Sequence, residues 1–457
     1  MRLRIPHSWL LVLFVVALAG CKPAWTPPDP EEWCKPDDAR RILNEEYAFY
    51  QAHPQEAGVP EFDFQDRTFT YTDVAPIIQL NCWPCHRPGG NAPFALQTYA
   101  QVQRKASTIQ EVLRQRIMPP WMGDNSYSTL LDAPAITDEQ RAMIIAWIQG
   151  GMARGAADES LPEISEAVQD SADLYISVAE PHAITSNSDS YQCFLLDPQL
   201  QEDVFVEGIS FHSTNPYVIH HIMMYIDTAG TLDSLPPDWD CMKDDIVNRL
   251  IPIDSWSKGQ RLIRYSDDFA YRFPKKSKIL LQTHYGDEGN LGKLEQTTIG
   301  LHYRKSPPPR EIQWAILNNL DIAIPANTVK VETVSFPVEK DMAVLGTVPH
   351  LHFIGRVVEV FAMTAECRKI NLLKINDWNY LWQGRFMYPK PLIVPKGSTI
   401  YMNVVYDNTA ANPQQPNDPI IDIRYDTYSN QEMMVLCVYY SDYEPGDENK
   451  TVGHLVR

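Results

Sequence analysis

Residues 398–406 read STIYMNVVY. Ile400, Met402, Val404 and Tyr406 fall on one parity; Tyr401, Asn403 and Val405 fall on the other. Successive side chains of an extended chain point to opposite faces, so this alternation predicts a half-buried β-strand. Six further stretches after residue 170 have the same strand-like character: DVFVEGISF (203–211), YVIHHIMMYI (217–226), SKILLQTHY (277–285), TVKVETVSF (328–336), RVVEVFAM (356–363) and MMVLCVYY (433–440). Many short strands separated by turn signals predict β-sandwiches. Ser306-Pro307-Pro308-Pro309 divides the region, which gives two sandwiches, at 170–306 and 307–457.

Upstream the period changes. Val102, Ala106, Ile109, Leu113 and Ile117 recur at helical spacing until Met118-Pro119-Pro120-Trp121 stops the run, because proline cannot continue a helix. Thr137-Asp138-Glu139-Gln140 is a capping box that opens another helix, with Ile144, Ile145 and Ile148 on its apolar face and Gly150-Gly151 after it. This block, 67–156, contains Cys82-Trp83-Pro84-Cys85-His86, a C-x-x-C-H pentapeptide that reads as a c-type haem attachment site. The two thiols can bond to haem vinyls and His86 can ligate iron. A zinc site would need further Cys or His nearby, and none lies between 87 and 181. A methionine as sixth ligand raises the potential. Met118, at the helix end, is the favoured one over Met122, Met143 and Met152. The block resembles small bacterial c-type cytochromes, on CHRPGGNAPFALQTY, MPPW and TDEQRAMIIAWIQGG. The expected fold is therefore multidomain: a small all-α cytochrome c domain followed by two all-β, jelly-roll-like sandwich domains.

The N-terminus has a different job. Arg2 and Arg4 precede an apolar run, Trp9 to Ala19, too short to span a bilayer comfortably. Leu18-Ala19-Gly20-Cys21 resembles a bacterial lipobox, which implies a signal peptide at 1–20 and a lipid on Cys21. Residues 21–66, rich in proline and charge, read as a tether with one short helix at 39–52. The expected location is the cell envelope, lipid-anchored and facing the periplasm or cell surface; Lys22 after Cys21 favours the outer membrane. The net charge of −19 over 457 residues argues against nucleic acid as a partner. Of the eight cysteines, Cys34, Cys193, Cys241, Cys367 and Cys437 are left after lipid and haem, an odd number in an oxidising compartment.

Three strand contexts carry histidines: His220-His221 in YVIHHIMMYI, His284 in LLQTHYGD, and His350 and His352 in PHLHFIGR. An H-x-H pair on a strand puts both imidazoles on one face. The adjacent pair needs a twist or bulge to converge. Imidazoles suit copper, zinc, iron or nickel, and a thioether favours copper. His53, His182, His212, His302 and His454 read as structural.

On these residues the stretch from about 170 to 457 resembles the copper type II, ascorbate-dependent monooxygenases, the family of peptidylglycine α-hydroxylating and dopamine β-hydroxylating enzymes. The resemblance implies two sandwiches, each holding one copper across an open cleft. It implies copper ligation by His220, His221 and His284 in the first, the last within Leu281-Gln282-Thr283-His284-Tyr285. It implies His350, His352 and Met433 in the second, with Met434 as close rival. The second copper would do the oxygen chemistry and the first would deliver an electron. A related-fold bridge implies Cys193–Cys241, and Cys367–Cys437 would tie two strands of the second sandwich. The sequence departs from the family at Ile222, Val348, Val435 and Cys437; Val348 stands where a carboxylate-clamping arginine is expected, so a peptide C-terminus is not the expected substrate. NDWNYLWQGRF (376–386) resembles the bacterial branch. The expected cofactors are two copper ions and one covalent haem c. The expected partners are a small substrate, O2, and a periplasmic or membrane electron donor. The alternative is a non-catalytic electron-transfer or copper-binding lipoprotein. A di-haem peroxidase fails on the single C-x-x-C-H.

Overall fold

The computed structural model describes residues 36–52, 59–155 apart from positions 89, 91, 132, 134 and 135, and 171–456 apart from 187, 243–245, 261 and 287–289. The expected signal peptide, Cys21 and Cys34 lie outside the described residues. A small helical region is followed by a large region of several sheets.

STIYMNVVY lies in the strand Thr399–Asn408. Ile400, Met402, Val404 and Tyr406 enter an apolar core, as their parity predicts. The other face is covered as well, at Asn403 and Val405. Leu43 and Tyr47 of helix α1 (Pro36–Ala52) pack on Val405, and Tyr47 Oη donates to Asp407 Oδ2 at 2.8 Å. Lys374 Nζ adds an ion pair with Glu46 at 2.7 Å. The short helix expected at 39–52 is present and spans Pro36–Ala52, but it docks on the second β unit rather than lying in a free tether. The strand is buried on both faces because α1 supplies the second cover.

Around that strand the second β unit has two four-stranded sheets. One runs Thr328–Pro337, Thr399–Asn408, Gly355–Met363, Lys369–Ile375; the other runs Gln313–Asn318, Val435–Asp442, Met342–His350, Phe386–Val394. Side chains of both meet in one core. The first β unit has two five-stranded sheets. One runs Leu174–Ser177, Thr297–Arg304, Val204–Ser213, Phe269–Phe273, Arg310–Glu311; the other runs Asp238–Asp240, Ser190–Leu196, Lys278–Tyr285, Ile219–Asp227, Ile251–Ser257. These also share a core.

The two units are not separate bodies. Leu345, Val348, Met387, Cys437 and Tyr439 of the second belong to the core of the first. That explains why Met342–His350 is buried along nearly its whole length: Val344 faces one core and Leu345 the other. The buried pair Arg385–Asp254 crosses the junction, and the C-terminal strand Gly453–Leu455 returns to pair with Ile263–Tyr265. The chain thus crosses the expected boundary at 307 a second time.

The helical region holds α2 (Tyr71–Asn81), α3 (Tyr99–Arg104), α4 (Ala106–Arg114) and α5 (Asp138–Gln149) around its own core. Thr137 and Gln140 form the expected capping box. The run expected as one helix through Ile117 is two, broken at Lys105, and Ile117 is exposed. Residues 121–131 leave the helices for the second β unit, where Gly123 bridges Ile375 and Leu130 joins the core. Among the described residues no helix is long and apolar enough to cross a membrane.

Cys193–Cys241 is a disulfide with Cα atoms 5.7 Å apart, as the resemblance implied. Cys367–Cys437 is not. Cys437 is a buried thiol facing the core of the first unit. Cys367 sits in the turn between Gly355–Met363 and Lys369–Ile375, in the other sheet, and is bonded to a cysteine other than Cys437. Cys437 turns its side chain into the core shared with the first unit, away from the sheet that leads to Cys367, so the two thiols do not meet.

Candidate metal centre

Ile219–Asp227 and Lys278–Tyr285 are neighbouring antiparallel strands with His284 directly opposite His221. The register then slips, since Tyr285 pairs with Ile219. His220 is the extra residue of that bulge. A bulge re-aims a side chain that strict alternation would send to the other face. It lets two adjacent histidines converge, and the ligand atoms of His220, His221 and His284 all lie within 4.8 Å of one another. All three rings are buried.

The neighbours select which nitrogen each ring offers. His220 Nε2 is 2.9 Å from the Tyr380 carbonyl, which can only accept, so Nε2 carries the proton and Nδ1 the lone pair. His284 Nε2 is 3.1 Å from Asp189 Oδ1, while its Nδ1 is buried with no protein partner. A carboxylate or carbonyl behind a ligating histidine is the usual device for fixing its tautomer. His220 Nδ1 lies 3.0 Å from His221 Nδ1. Tyr191 stacks on His284 and Tyr380 on His220, each with centroids 4.2 Å apart. Burial and the neighbouring imidazoles hold His220 and His221 well below the usual histidine range, in the neutral ligating form. Burial opposes ionisation of Asp189, but hydrogen bonds from His284 and Ser429 outweigh it and keep the carboxyl well below its ordinary value.

The second histidine group adjoins the first. His350 ends its strand and His352 lies two residues on, in the following turn rather than on the strand as expected. Their nitrogens are also assigned by partners. His350 Nδ1 meets Gln383 Oε1, His352 Nδ1 meets the Gln431 carbonyl at 3.1 Å, and His352 Nε2 is buried without a partner. Glu432 braces the site by accepting from the N–H groups of His352 and Ile354, both at 2.8 Å, and of Met433 at 3.2 Å. Burial pushes the Glu432 carboxyl up to about 8 against the pull of those donors. Met434 is fully buried in the second core, a packing residue; Met433, half-buried, is the one of the pair left over for a ligand role.

The rings form a continuous chain. His221 and His350 have centroids 5.2 Å apart, and His350 and His352 5.4 Å. The resemblance implied an open cleft between the groups. Here the two groups are in ring contact instead, and the segment 376–386 supports both: Tyr380 carries His220, Gln383 carries His350, and Arg385 pairs with Asp254. In the sequence this segment carries no role beyond its resemblance to the bacterial branch, and Glu432 carries none. Asp189 had no sequence signal at all.

The C-x-x-C-H pentapeptide closes α2, with Cys82 as its C-cap. His86 Nδ1 is 3.0 Å from the Phe94 carbonyl, which leaves the Nε2 lone pair available to a metal, and burial holds the ring below its usual range. Burial and the neighbouring Cys85 push the Cys82 thiol up to about 12. These residues fit a covalent haem: two thiols one helical turn apart and an imidazole of fixed tautomer. Met118 follows α4, and its carbonyl accepts from Arg141. Met122 is taken up elsewhere, because its sulfur accepts from the Asn379 N–H at 3.0 Å in the second β unit. The motif lies against the first β unit. Tyr217 Oη donates to the Ala92 carbonyl, and the Cys85 sulfur is 4.0 Å from where a Cβ on Gly259 would stand.

The histidines predict a pH dependence. Burial holds His350 at about 4 and His352 at about 3, against about 6.5 in an unfolded chain. Between those values the unfolded chain binds more protons, so stability rises with pH across the window. The contribution is complete above about pH 6.5 and is lost as pH falls toward 4. Chelator-treated protein should therefore show a melting temperature that falls between pH 7 and 4. Copper should move that fall to lower pH, since bound imidazoles resist protonation. Identical melting curves with and without copper would contradict this.

No family model matches the chain. Among solved structures it is similar to the major capsid protein P2 of bacteriophage PM2, at 9% identity over 60% of this chain and 98% of that one, with a TM-score of 0.25. Further similarities are to the VP2 subviral particle of infectious bursal disease virus (7%, 62% and 83%, TM-score 0.17) and to oxalate decarboxylase from Bacillus subtilis (8%, 59% and 77%, TM-score 0.13). These overlaps are too slight to assign a family or a function.

Proposed function

We propose that the chain is a copper-dependent monooxygenase that hydroxylates a C–H bond of a small substrate with O2, supplied with electrons through its own haem c. The observation that carries this reading is the convergence of His220, His221 and His284 within 4.8 Å, next to a second, differently equipped histidine pair. Copper at the two sites would each supply one electron, and at the methionine-bearing site activation of O2. The chain's own residues do the rest. His220 and His284 present Nδ1 because Tyr380 and Asp189 hold their other nitrogens. His352 presents Nε2 because Gln431 holds Nδ1. Glu432 fixes the backbone on which His352 and Met433 sit. Two donor sets of unlike softness suit a division between electron storage and oxygen chemistry. Val348 offers no charge for a carboxylate, so the substrate is not held as a peptide C-terminus.

The haem relay is supported by the docking of the C-x-x-C-H loop. Gly259, beside Cys85, lies two residues beyond Ser257, which pairs with His221. A second reading, a non-catalytic copper-holding or electron-transfer protein, is favoured by the burial of the three-histidine cluster, which suits storage without a substrate.

Met433→His separates the two. A monooxygenase should keep two coppers but lose hydroxylation by at least tenfold, because a harder ligand set disfavours Cu(I). Copper content by elemental analysis and an untargeted search for hydroxylated products would show it. A wild-type protein that binds copper yet consumes no O2 with ascorbate would leave the second reading.

A further inference from the structure

Asp189 is not a ligand to any metal, yet it touches both halves of the site. Its Oδ1 lies 3.1 Å from His284 Nε2. Its Oδ2 accepts from the Ser429 N–H at 2.9 Å and from Ser429 Oγ. Ser429 opens a short path into the second half-site. Two residues later the Gln431 carbonyl holds His352 Nδ1, then Glu432 accepts from the His352 N–H, and Met433 follows. Asp189 itself is placed by the strand Ser190–Leu196, whose Tyr191 pairs with His284 and stacks on it. One carboxylate thus joins a ligand of the three-histidine site to the segment that carries Met433.

We propose that Asp189 is a positioning residue that couples the two half-sites, so that metal at His220/His221/His284 sets the placement of Met433. This rests on the two-site reading above. The chemistry requires a carboxylate. Both neighbours donate, and only a group with two acceptor oxygens can serve both. Asparagine has one, so its amide N–H would face a donor. A metal at His284 Nδ1 makes the Nε2–H a stronger donor, which tightens the bond to Asp189. Coupling of this kind is reciprocal: metal at the second half-site must strengthen the first by the same factor.

The test is Cu(I) titration of the full chain, with X-ray absorption of the loaded protein to read copper–sulfur scattering. Asp189→Asn should weaken copper at the three-histidine site by about 10- to 100-fold, the usual effect of removing a partner behind a ligating histidine. It should also weaken copper at the second half-site several-fold and reduce the sulfur scattering, although it removes none of that site's ligands. Ser429→Ala, which leaves Asp189 and His284 in place, should reduce the sulfur scattering in the same direction and serves if Asp189→Asn does not fold. A purely structural role would lower the melting temperature without altering the scattering. Asp189→Asn with wild-type scattering and second-site affinity, and a loss confined to the first site, would overturn the coupling. Wild-type protein holding a single copper with no sulfur scattering would overturn the two-site reading and the coupling with it.

Discussion

Under the proposed function, His284→Ala is expected to cut tightly held copper from two ions per chain to one. The ring supplies one of three nitrogens that converge within 4.8 Å, and the other two alone leave a two-coordinate site. The substitution also strands two neighbours. Asp189 keeps Ser429 but loses the His284 N–H, and Tyr191 loses the ring it stacks on. Asp189 is partly buried, and losing one partner of such a carboxylate costs about 1 kcal/mol, the low end of the range for fully buried groups. The apoprotein should therefore melt lower, while its β units still fold on their own cores. Elemental analysis after dialysis against a chelator gives the stoichiometry. Under the proposed function the remaining copper still permits O2 consumption, but the second electron does not arrive. Superoxide, the one-electron product, should then be released and disproportionate, so that peroxide rises relative to hydroxylated product. Two coppers retained by His284→Ala would remove the three-histidine cluster from the metal centre.

What the sequence disclosed, and what it did not, follows from the range of the interactions. The parity of STIYMNVVY is local, and Ile400, Met402, Val404 and Tyr406 all enter the core as it predicts. That Val405 is buried too depends on α1, more than 350 residues upstream (Tyr47 to Asp407 is a separation of 360). The histidine motifs were legible as metal-binding types, and the need for a bulge at His220-His221 followed from strand geometry alone. Its partners were not legible. Tyr380 lies 160 residues from His220, and Ser429 lies 240 from Asp189. A lone aspartate in SNSDSYQ has no spacing that marks it. The failed Cys367–Cys437 pairing has the same origin, because strand parity says which face a residue takes but not which layer will cover it. Cys437 faces the first unit's core, a neighbour that no pattern within its own strand announces.

Under the proposed function, Cys82→Ala/Cys85→Ala is expected to yield protein without covalent haem that still holds both coppers. The metal centre draws its ligands and their partners from the β units and the segment 376–386, not from the C-x-x-C-H loop. The helical core is a separate cluster, so its loss need not unfold the sheets. The effect should appear in electron supply. With ascorbate, which reaches copper directly, hydroxylation should continue at a rate within a few-fold of wild type. With a reduced soluble c-type cytochrome as the only donor, it should fall by at least tenfold. The reason lies in the docking of the motif. Cys85 lies against Gly259, Tyr217 holds the Ala92 carbonyl, and Ser257, two residues before Gly259, pairs with His221. An electron leaving a haem held there has a short covalent and hydrogen-bonded route to the three-histidine site. Anaerobic reduction of the haem in the intact chain should accordingly bleach the Cu(II) spin signal at a rate independent of protein concentration. If the haemless variant turns over normally with the cytochrome donor, electrons enter at copper directly and the helical domain has another role.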